Sequence, residues 1–102
     1  MILRLDTSTP VLRMGLRDVD GDKIAEKDVE LGREMARRIL AEIRDLLVEN
    51  GLALEDLIAL EVNEGPGSYT GLRIGMTVAN TLADGFGLLV NGQEPPVLPK
   101  YS

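Results

Sequence analysis

One change in hydrophobic periodicity, near residue 31, limits the folds that this chain can adopt. The segments before it have the short, alternating patterns of β-strands. After it, apolar residues recur every three or four positions, which predicts an amphipathic helix over residues 32–49. The full set of predicted elements is strands at residues 1–6, 11–19, 23–28, 58–63 and 87–91 and helices at 32–49 and 70–84.

This order, β-β-β-α-β-α-β, predicts an α/β domain with a five-stranded mixed sheet. Helical crossovers join parallel strands with a right-handed turn, so the simplest strand order is 3-2-1-4-5. Alternation along the central strands leaves one face apolar and the other polar. We therefore expect both helices on one face, with Arg4, Arg13, Arg17 and Glu61 on a solvent-exposed face where Arg4 could reach Glu61.

Composition excludes several classes of protein. The net charge of −6 argues against a protein that binds the phosphate backbone of nucleic acids. With no cysteine and no histidine, the 102 residues offer no disulfide, no thiolate metal site and no imidazole base. No apolar run approaches the ~20 residues that span a bilayer, and no signal peptide is apparent. A single cytoplasmic domain is the expectation.

The densest local signal is NEGPGSYTGLRIGM, residues 63–76, which leads from a predicted strand into a predicted helix. Glycine-rich loops of this kind can cradle phosphate at a helix N-terminus. The Walker pattern fails because no lysine follows, and the dinucleotide pattern fails because Thr70 stands where its third glycine belongs. The alternative, which the residues favour, is a tight turn with Ser68 or Thr70 as N-cap.

A second loop, DTSTP, follows the first strand and contains Asp6, Thr7, Ser8 and Thr9. A carboxylate followed by hydroxyl groups can hold a metal–phosphate group. The same residues are common wherever a strand enters a turn, and this interpretation is favoured here. Nucleophilic catalysis has little support, because the chain has no histidine to activate a hydroxyl group.

The second predicted helix is apolar nearly all round, since only Arg73 and Asp84 are charged between residues 70 and 86. A helix of this kind is buried nearly all round. In so small a domain it leaves surplus apolar surface, which indicates a contact with another molecule. A stripe of small side chains would permit close approach, at Gly71, Gly75, Ala79 and Ala83.

Three stretches, MILRLDTSTP, EMARRILAEIRDLL and above all GPGSYTGLRIG, resemble the N-terminal half of the TsaB family, also called YeaZ. The resemblance covers residues 1–92, and the family chain is about twice as long. It implies an RNase H-like half domain of the fold shared by actin, sugar kinases and chaperone ATPases. Residues 93–102 would form a proline-containing tail.

The resemblance also implies a function. Family members are non-catalytic subunits in the synthesis of threonylcarbamoyladenosine in tRNA. They support a TsaD-type catalytic subunit, a TsaE-type ATPase joins the assembly, and direct nucleic-acid binding is not expected. The two helices form the contact surface in homodimers and with TsaD. On this chain that surface would comprise Met35, Ile39, Leu40, Ile43, Leu72, Ile74, Gly75, Val78, Ala79 and Leu82.

By the same resemblance, the two polar loops would be vestigial phosphate-type loops and no cofactor would bind. Their residues are Asp6, Thr7, Ser8, Thr9, Gly65, Gly67, Ser68 and Thr70. Catalytic relatives carry a metal-binding histidine pair where this chain has Met35 and Ala36, so no metal is expected. Two alternatives stay open: a stand-alone homodimeric domain with no role in tRNA modification, and a nucleotide-binding, ATPase-like enzyme half.

Overall fold

Five strands and two helices follow one another in the predicted order, in a computed structural model that describes residues 1–98. Short 3-10 turns precede the first helix and the fourth strand. The elements are β1 (Ile2–Asp6), β2 (Val11–Arg17), β3 (Lys23–Glu30), α1 (Met35–Glu49), β4 (Ala59–Val62), α2 (Tyr69–Phe86) and β5 (Leu89–Val90).

The sheet has the order β3-β2-β1-β4-β5, which confirms the predicted topology and fold class. Strand β1 lies at its centre, antiparallel to β2 and parallel to β4. The second crossover places β5 parallel to β4. The carboxyl ends of β1 and β4 therefore meet at one edge, where the two polar loops begin.

Element boundaries differ from the prediction where glycine conformations decide them. Helix α1 begins at Met35 rather than residue 32, because Gly32 has a φ of +50° and only a 3-10 turn bridges the gap. Helix α2 extends to Phe86 and ends at Gly87, which adopts the left-handed conformation that favours glycine at helix ends. Strand β5 shrinks to two residues as a consequence.

Both helices cover one face of the sheet, and the core lies between. The inward side chains of the central strands are buried, at Leu3, Leu5, Leu12, Met14, Leu16, Leu60 and Val62. Ile58 alternates with Leu60 and Val62, which predicts the same face for it, but it is 52% exposed because it lies one residue before β4 begins. The helices thus bury their apolar sides against a single apolar sheet face.

The opposite sheet face is polar, as predicted. Arg4 and Arg13 are exposed there. Arg4 lies beside Glu61 in the β1–β4 register, as expected, but the residue that donates to Glu61 is Arg17. The β2–β3 register shifts at this point because β3 contains the extra residue Ile24, whereas Arg17 keeps its regular pairing with Ile2 of β1.

Residues 93–98 fold back onto the domain rather than extending away as a tail. Asn91 and Gly92, with φ of 51° and 76°, form a tight turn after β5. Gln93 and Val90 then exchange backbone hydrogen bonds of 2.9 and 2.8 Å. Val97 is buried in the core cluster. The rest of the predicted tail, residues 99–102, lies outside the described residues.

Candidate interaction surface and the glycine loop

Three backbone donors in and beside the loop between β4 and α2 bond within the protein. Ser68 is the N-cap of α2, as one of the two predicted alternatives required, and its hydroxyl accepts from the Gly71 N–H at 3.2 Å. The Ser68 N–H donates to the Ser8 carbonyl at 3.0 Å, and the Gly65 N–H to the Asn63 side chain at 2.9 Å. These donors are engaged by protein oxygens, whereas a phosphate cradle needs them free.

The glycines of α2 are required by close packing against the loop after β1. A Cβ at Gly71 would lie 2.1 Å from the Thr7 carbonyl oxygen, and one at Gly75 would lie 2.3 Å from Thr7 Oγ1. A Cβ at Gly67 would lie 2.5 Å from Ser8 Cβ. No side chain larger than hydrogen fits at these distances.

Thr7 joins the two loops. Its side chain is fully buried, and its hydroxyl donates to the Gly71 carbonyl at 2.6 Å. The small-residue stripe therefore faces Thr7 and the sheet, and Ala79 and Ala83 continue it into the core. The prediction that this stripe permits approach of a partner is wrong, because the approach it permits is within the domain.

Asp6 organises the turn that carries Thr7. One carboxylate oxygen accepts from the Ser8 N–H at 2.9 Å, the Ser8 hydroxyl at 2.6 Å and the Asn63 side chain at 3.2 Å. Burial alone would raise the pKa of Asp6, but these hydrogen bonds, with a smaller contribution from the Arg13 charge, outweigh it and lower the pKa. Thr9 is exposed and bonds only to its neighbour Val11.

Most of the predicted contact residues lie in the domain's own core. Buried there are Met35, Ile39, Ile43, Leu72, Gly75, Ala79 and Leu82. A domain of this size needs the apolar sides of both helices to cover its sheet, so these side chains cannot form an outer surface. The predicted surface is corrected to the remaining three, Leu40, Ile74 and Val78.

The outer side of α2 forms a groove against α1, with a volume of about 370 Å³. Ile74 and Val78 are half-buried in it and pack on the edge of the core. The groove is lined by Ala36, Tyr69, Thr70, Arg73, Ile74, Thr77 and Val78. On the same layer, Leu40 of α1 is 48% exposed.

One end of the groove is formed by a cation–π pair between Arg73 and Tyr69. The Arg73 guanidinium lies 5.3 Å from the centre of the Tyr69 ring and donates to the Tyr69 hydroxyl at 2.9 Å. Tyr69, Arg73 and Thr77 were missed by the sequence prediction. The four-residue steps 69, 73, 77 and 70, 74, 78 place them on one helix face, which could have revealed them.

The helical layer carries no net charge although the chain is acidic. Residues 32–49 and 69–86 contain five basic side chains, Arg33, Arg37, Arg38, Arg44 and Arg73, and five acidic ones, Glu34, Glu42, Asp45, Glu49 and Asp84. The whole net charge of −6 therefore lies outside these two segments. A second acidic protein can approach the helices without the repulsion it meets elsewhere.

Among residues 1–98, no group of three or more acidic side chains is placed to hold a metal ion. None of the helices that the structure describes has the length and apolarity needed to cross a membrane.

Comparison with known proteins identifies the family. The family model described as TsaD, tRNA N6-adenosine threonylcarbamoyltransferase, matches residues 29–92. The biosynthesis protein TsaB of Escherichia coli K12 is 40% identical over 84 residues, which cover 82% of this chain and 36% of that protein. TsaB of Bacillus subtilis 168 is 42% identical over 82 residues, or 80% of this chain and 35% of that protein. This chain belongs to the TsaB (YeaZ) family.

Solved structures agree with the TsaB assignment and with the actin-like fold. YeaZ from Pseudomonas aeruginosa superimposes with a TM-score of 0.78 at 36% identity, covering 87% of this chain and 41% of that chain. This chain spans about 35–41% of the length of these TsaB and YeaZ relatives. The names of the TsaB relatives attribute to them a role in tRNA threonylcarbamoyladenosine biosynthesis.

Proposed function

We propose that this chain is a non-catalytic interaction module in tRNA threonylcarbamoyladenosine biosynthesis. Its partner is a TsaD-type catalytic subunit, and a TsaE-type ATPase joins the assembly in the cytoplasm. Membership of the TsaB family supports a role in this biosynthesis. The match of residues 29–92 to the TsaD model supports a partner of related fold.

The observation that carries the proposal is the apolar groove between α1 and α2. Ile74 and Val78 offer apolar surface that the core does not cover completely, and Thr77 and Ala36 add small neighbours. The surrounding helical layer is electrically neutral. Apolar surface rimmed by balanced charge is typical of a protein contact.

A partner of related fold can dock its own helix pair here, and so can a second copy of this chain. Two copies would meet about a two-fold axis, so that each groove contacts its own equivalent. We propose that the copy and the TsaD-type subunit compete for the same groove. If only self-association is observed, the chain is instead a stand-alone dimer with no role in tRNA modification.

The glycine loop supports a non-catalytic role. Three of its donors bond to Ser8, Asn63 and Ser68, and the space beside Gly67 and Gly71 is occupied by Ser8 and Thr7. Binding of a phosphate group by these three donors would have to displace these contacts. We expect calorimetry with ATP and magnesium to show no binding, and micromolar affinity would contradict the non-catalytic proposal.

The groove is tested by light scattering of the chain with a TsaD-type protein. Val78→Glu should weaken the complex by at least about tenfold, which corresponds to ~1.4 kcal/mol, because a carboxylate would be buried in an apolar contact. The matched control is Val19→Glu in the β2–β3 turn, where the valine is 71% exposed and does not line the groove.

The two variants separate the outcomes. Loss of binding with Val78→Glu alone supports the groove, provided circular dichroism shows an intact fold. Equal binding by wild type and Val78→Glu would refute it. If complexes form only between copies of this chain, the groove is still the contact surface, but the proposed role in tRNA modification is refuted.

A further inference from the structure

A second side of α2 makes contacts that the proposed function does not use. The Asn80 side-chain amide donates to the Val97 carbonyl at 2.9 Å, and its oxygen accepts from the Val97 N–H at 2.9 Å. One side chain thus satisfies both backbone hydrogen-bonding groups of Val97. Val97 itself is only 4% exposed.

The segment is anchored at two points rather than packed along its length. The Asn91–Gly92 turn fixes its start through Gln93 and Val90. Between the anchors, a cavity of about 260 Å³ remains beside Glu94 and Pro95, lined on the domain side by Ala83 and Leu88 among others. Leu98, directly after Val97, is 75% exposed. Contact with the domain is therefore concentrated on one residue, Val97.

The geometry points to a peptide-binding site on this flank of α2, occupied in cis by the chain's own residues 95–98. Asn80 binds the peptide backbone through two hydrogen bonds, and the pocket that holds Val97 accepts a small apolar side chain. The ligand class is a short peptide with such a residue after proline.

This site is separate from the groove. Asn80 follows Val78 by two residues, which places the two side chains about 200° apart around the helix. Asn80 and Val97 do not line the groove. A variant that empties the peptide site should leave partner binding at Val78 unchanged, so either proposal can fail alone.

The test uses the full chain with Val97→Asp, which should expel the segment because a carboxylate would be buried. The matched control is Leu98→Asp, the same change at the exposed neighbour. The probe is a synthetic, end-capped peptide of residues 93–98, titrated while the side-chain amide resonances of Asn80 are followed by NMR. In the wild type the tethered segment competes at an effective concentration of about millimolar.

We expect the peptide to shift the Asn80 resonances in Val97→Asp at millimolar concentration. At the same peptide concentration the shift should be smaller in wild type and Leu98→Asp, by up to about twofold, because the tethered segment competes at a similar effective concentration. In Val97→Asp combined with Asn80→Ala, backbone shifts of α2 should be absent. No response in folded Val97→Asp, or an equal response in the double variant, would overturn the proposal.

A second measurement tests the site if Val97→Asp does not fold. Hydrogen exchange of the Val97 amide should become nearly unprotected in Asn80→Ala, because that amide donates to the Asn80 side chain. Protection that persists in Asn80→Ala would overturn the role given to Asn80.

Discussion

On its inner side α2 places Gly71 and Gly75 against Thr7, whereas on its outer side it presents Ile74 and Val78 to a groove. The inner side leaves less than 2.5 Å for an added Cβ at either glycine. The outer side is open over about 370 Å³. The same helix therefore has one side on which a single methyl group is excluded and one on which larger changes are tolerated. The fold depends on the inner side, and we assign the contact function to the outer side.

The largest effect is expected from Gly71→Ala. The new methyl group would collide with the Thr7 backbone carbonyl, which cannot rotate away, so the free energy of unfolding should fall by about 3 kcal/mol. Gly75→Ala should cost less, because its nearest atom belongs to the Thr7 side chain. Urea denaturation followed by circular dichroism measures both.

Gly85→Ala is the matched control on the same helix. No atom lies within 4 Å of a Cβ built there, and alanine favours helix. The control should stabilise the protein by up to about 1 kcal/mol. If Gly71→Ala were as stable as Gly85→Ala, the distinction between the two sides of α2 would disappear.

Thr7→Val tests the same contact between Thr7 and Gly71 by changing Thr7. Valine keeps the shape but removes the hydroxyl that donates to the Gly71 carbonyl, so a loss of about 1–2 kcal/mol is expected in urea denaturation. Thr9→Val, at the exposed end of the loop, should change stability by less than about 0.5 kcal/mol. Equal effects at the two positions would show that the hydroxyl of Thr7 has no special role.

Asp6 adds a pH dependence to the inner side. Its folded pKa lies below the unfolded value of about 3.9, so the carboxylate stabilises the fold above that value. The contribution is lost as pH falls through the folded pKa. Asp6→Asn should therefore destabilise the protein by about 1 kcal/mol or less at pH 7, and the difference from wild type should shrink below pH 4. A constant difference from pH 7 to pH 2.5 would contradict the direction of this shift.

The smallest effect on stability is expected in the groove. Thr77 is exposed and lines the groove, so Thr77→Glu should change the free energy of unfolding by less than about 0.5 kcal/mol. The same variant should weaken binding of a TsaD-type protein in light scattering. A loss of stability comparable to that of Gly71→Ala would place Thr77 in the core.

The fold could be predicted from the sequence because the period of apolar residues changes cleanly. The contact residues could not, because periodicity finds apolar stripes without showing which stripe faces the sheet. Met35 and Ile39 were assigned to a partner surface, yet they are buried in the core. A glycine stripe likewise fits a partner or a neighbouring loop, and only the position of Thr7 decides between them.

Two further differences have identifiable causes. Alternation places Arg4, Arg17 and Glu61 on one sheet face but does not show which arginine bonds to Glu61, and in the structure Arg17 does. The return of residues 93–98 had a sequence signal, because Asn91–Gly92 is the dipeptide that tight reversals favour, but a tail was predicted from the prolines that follow.

NMR mapping of the complex tests the central claim most directly. The isotope-labelled chain is titrated with an unlabelled TsaD-type subunit, and signal changes are assigned along the backbone. We predict that changes concentrate on the groove, at Ala36, Leu40, Ile74, Thr77 and Val78, and that the amides of Gly65 and Ser68 keep their positions. Changes centred on the Asp6 and glycine loops, or on the polar sheet face at Arg4 and Arg13, would contradict the assignment of the groove as the contact surface.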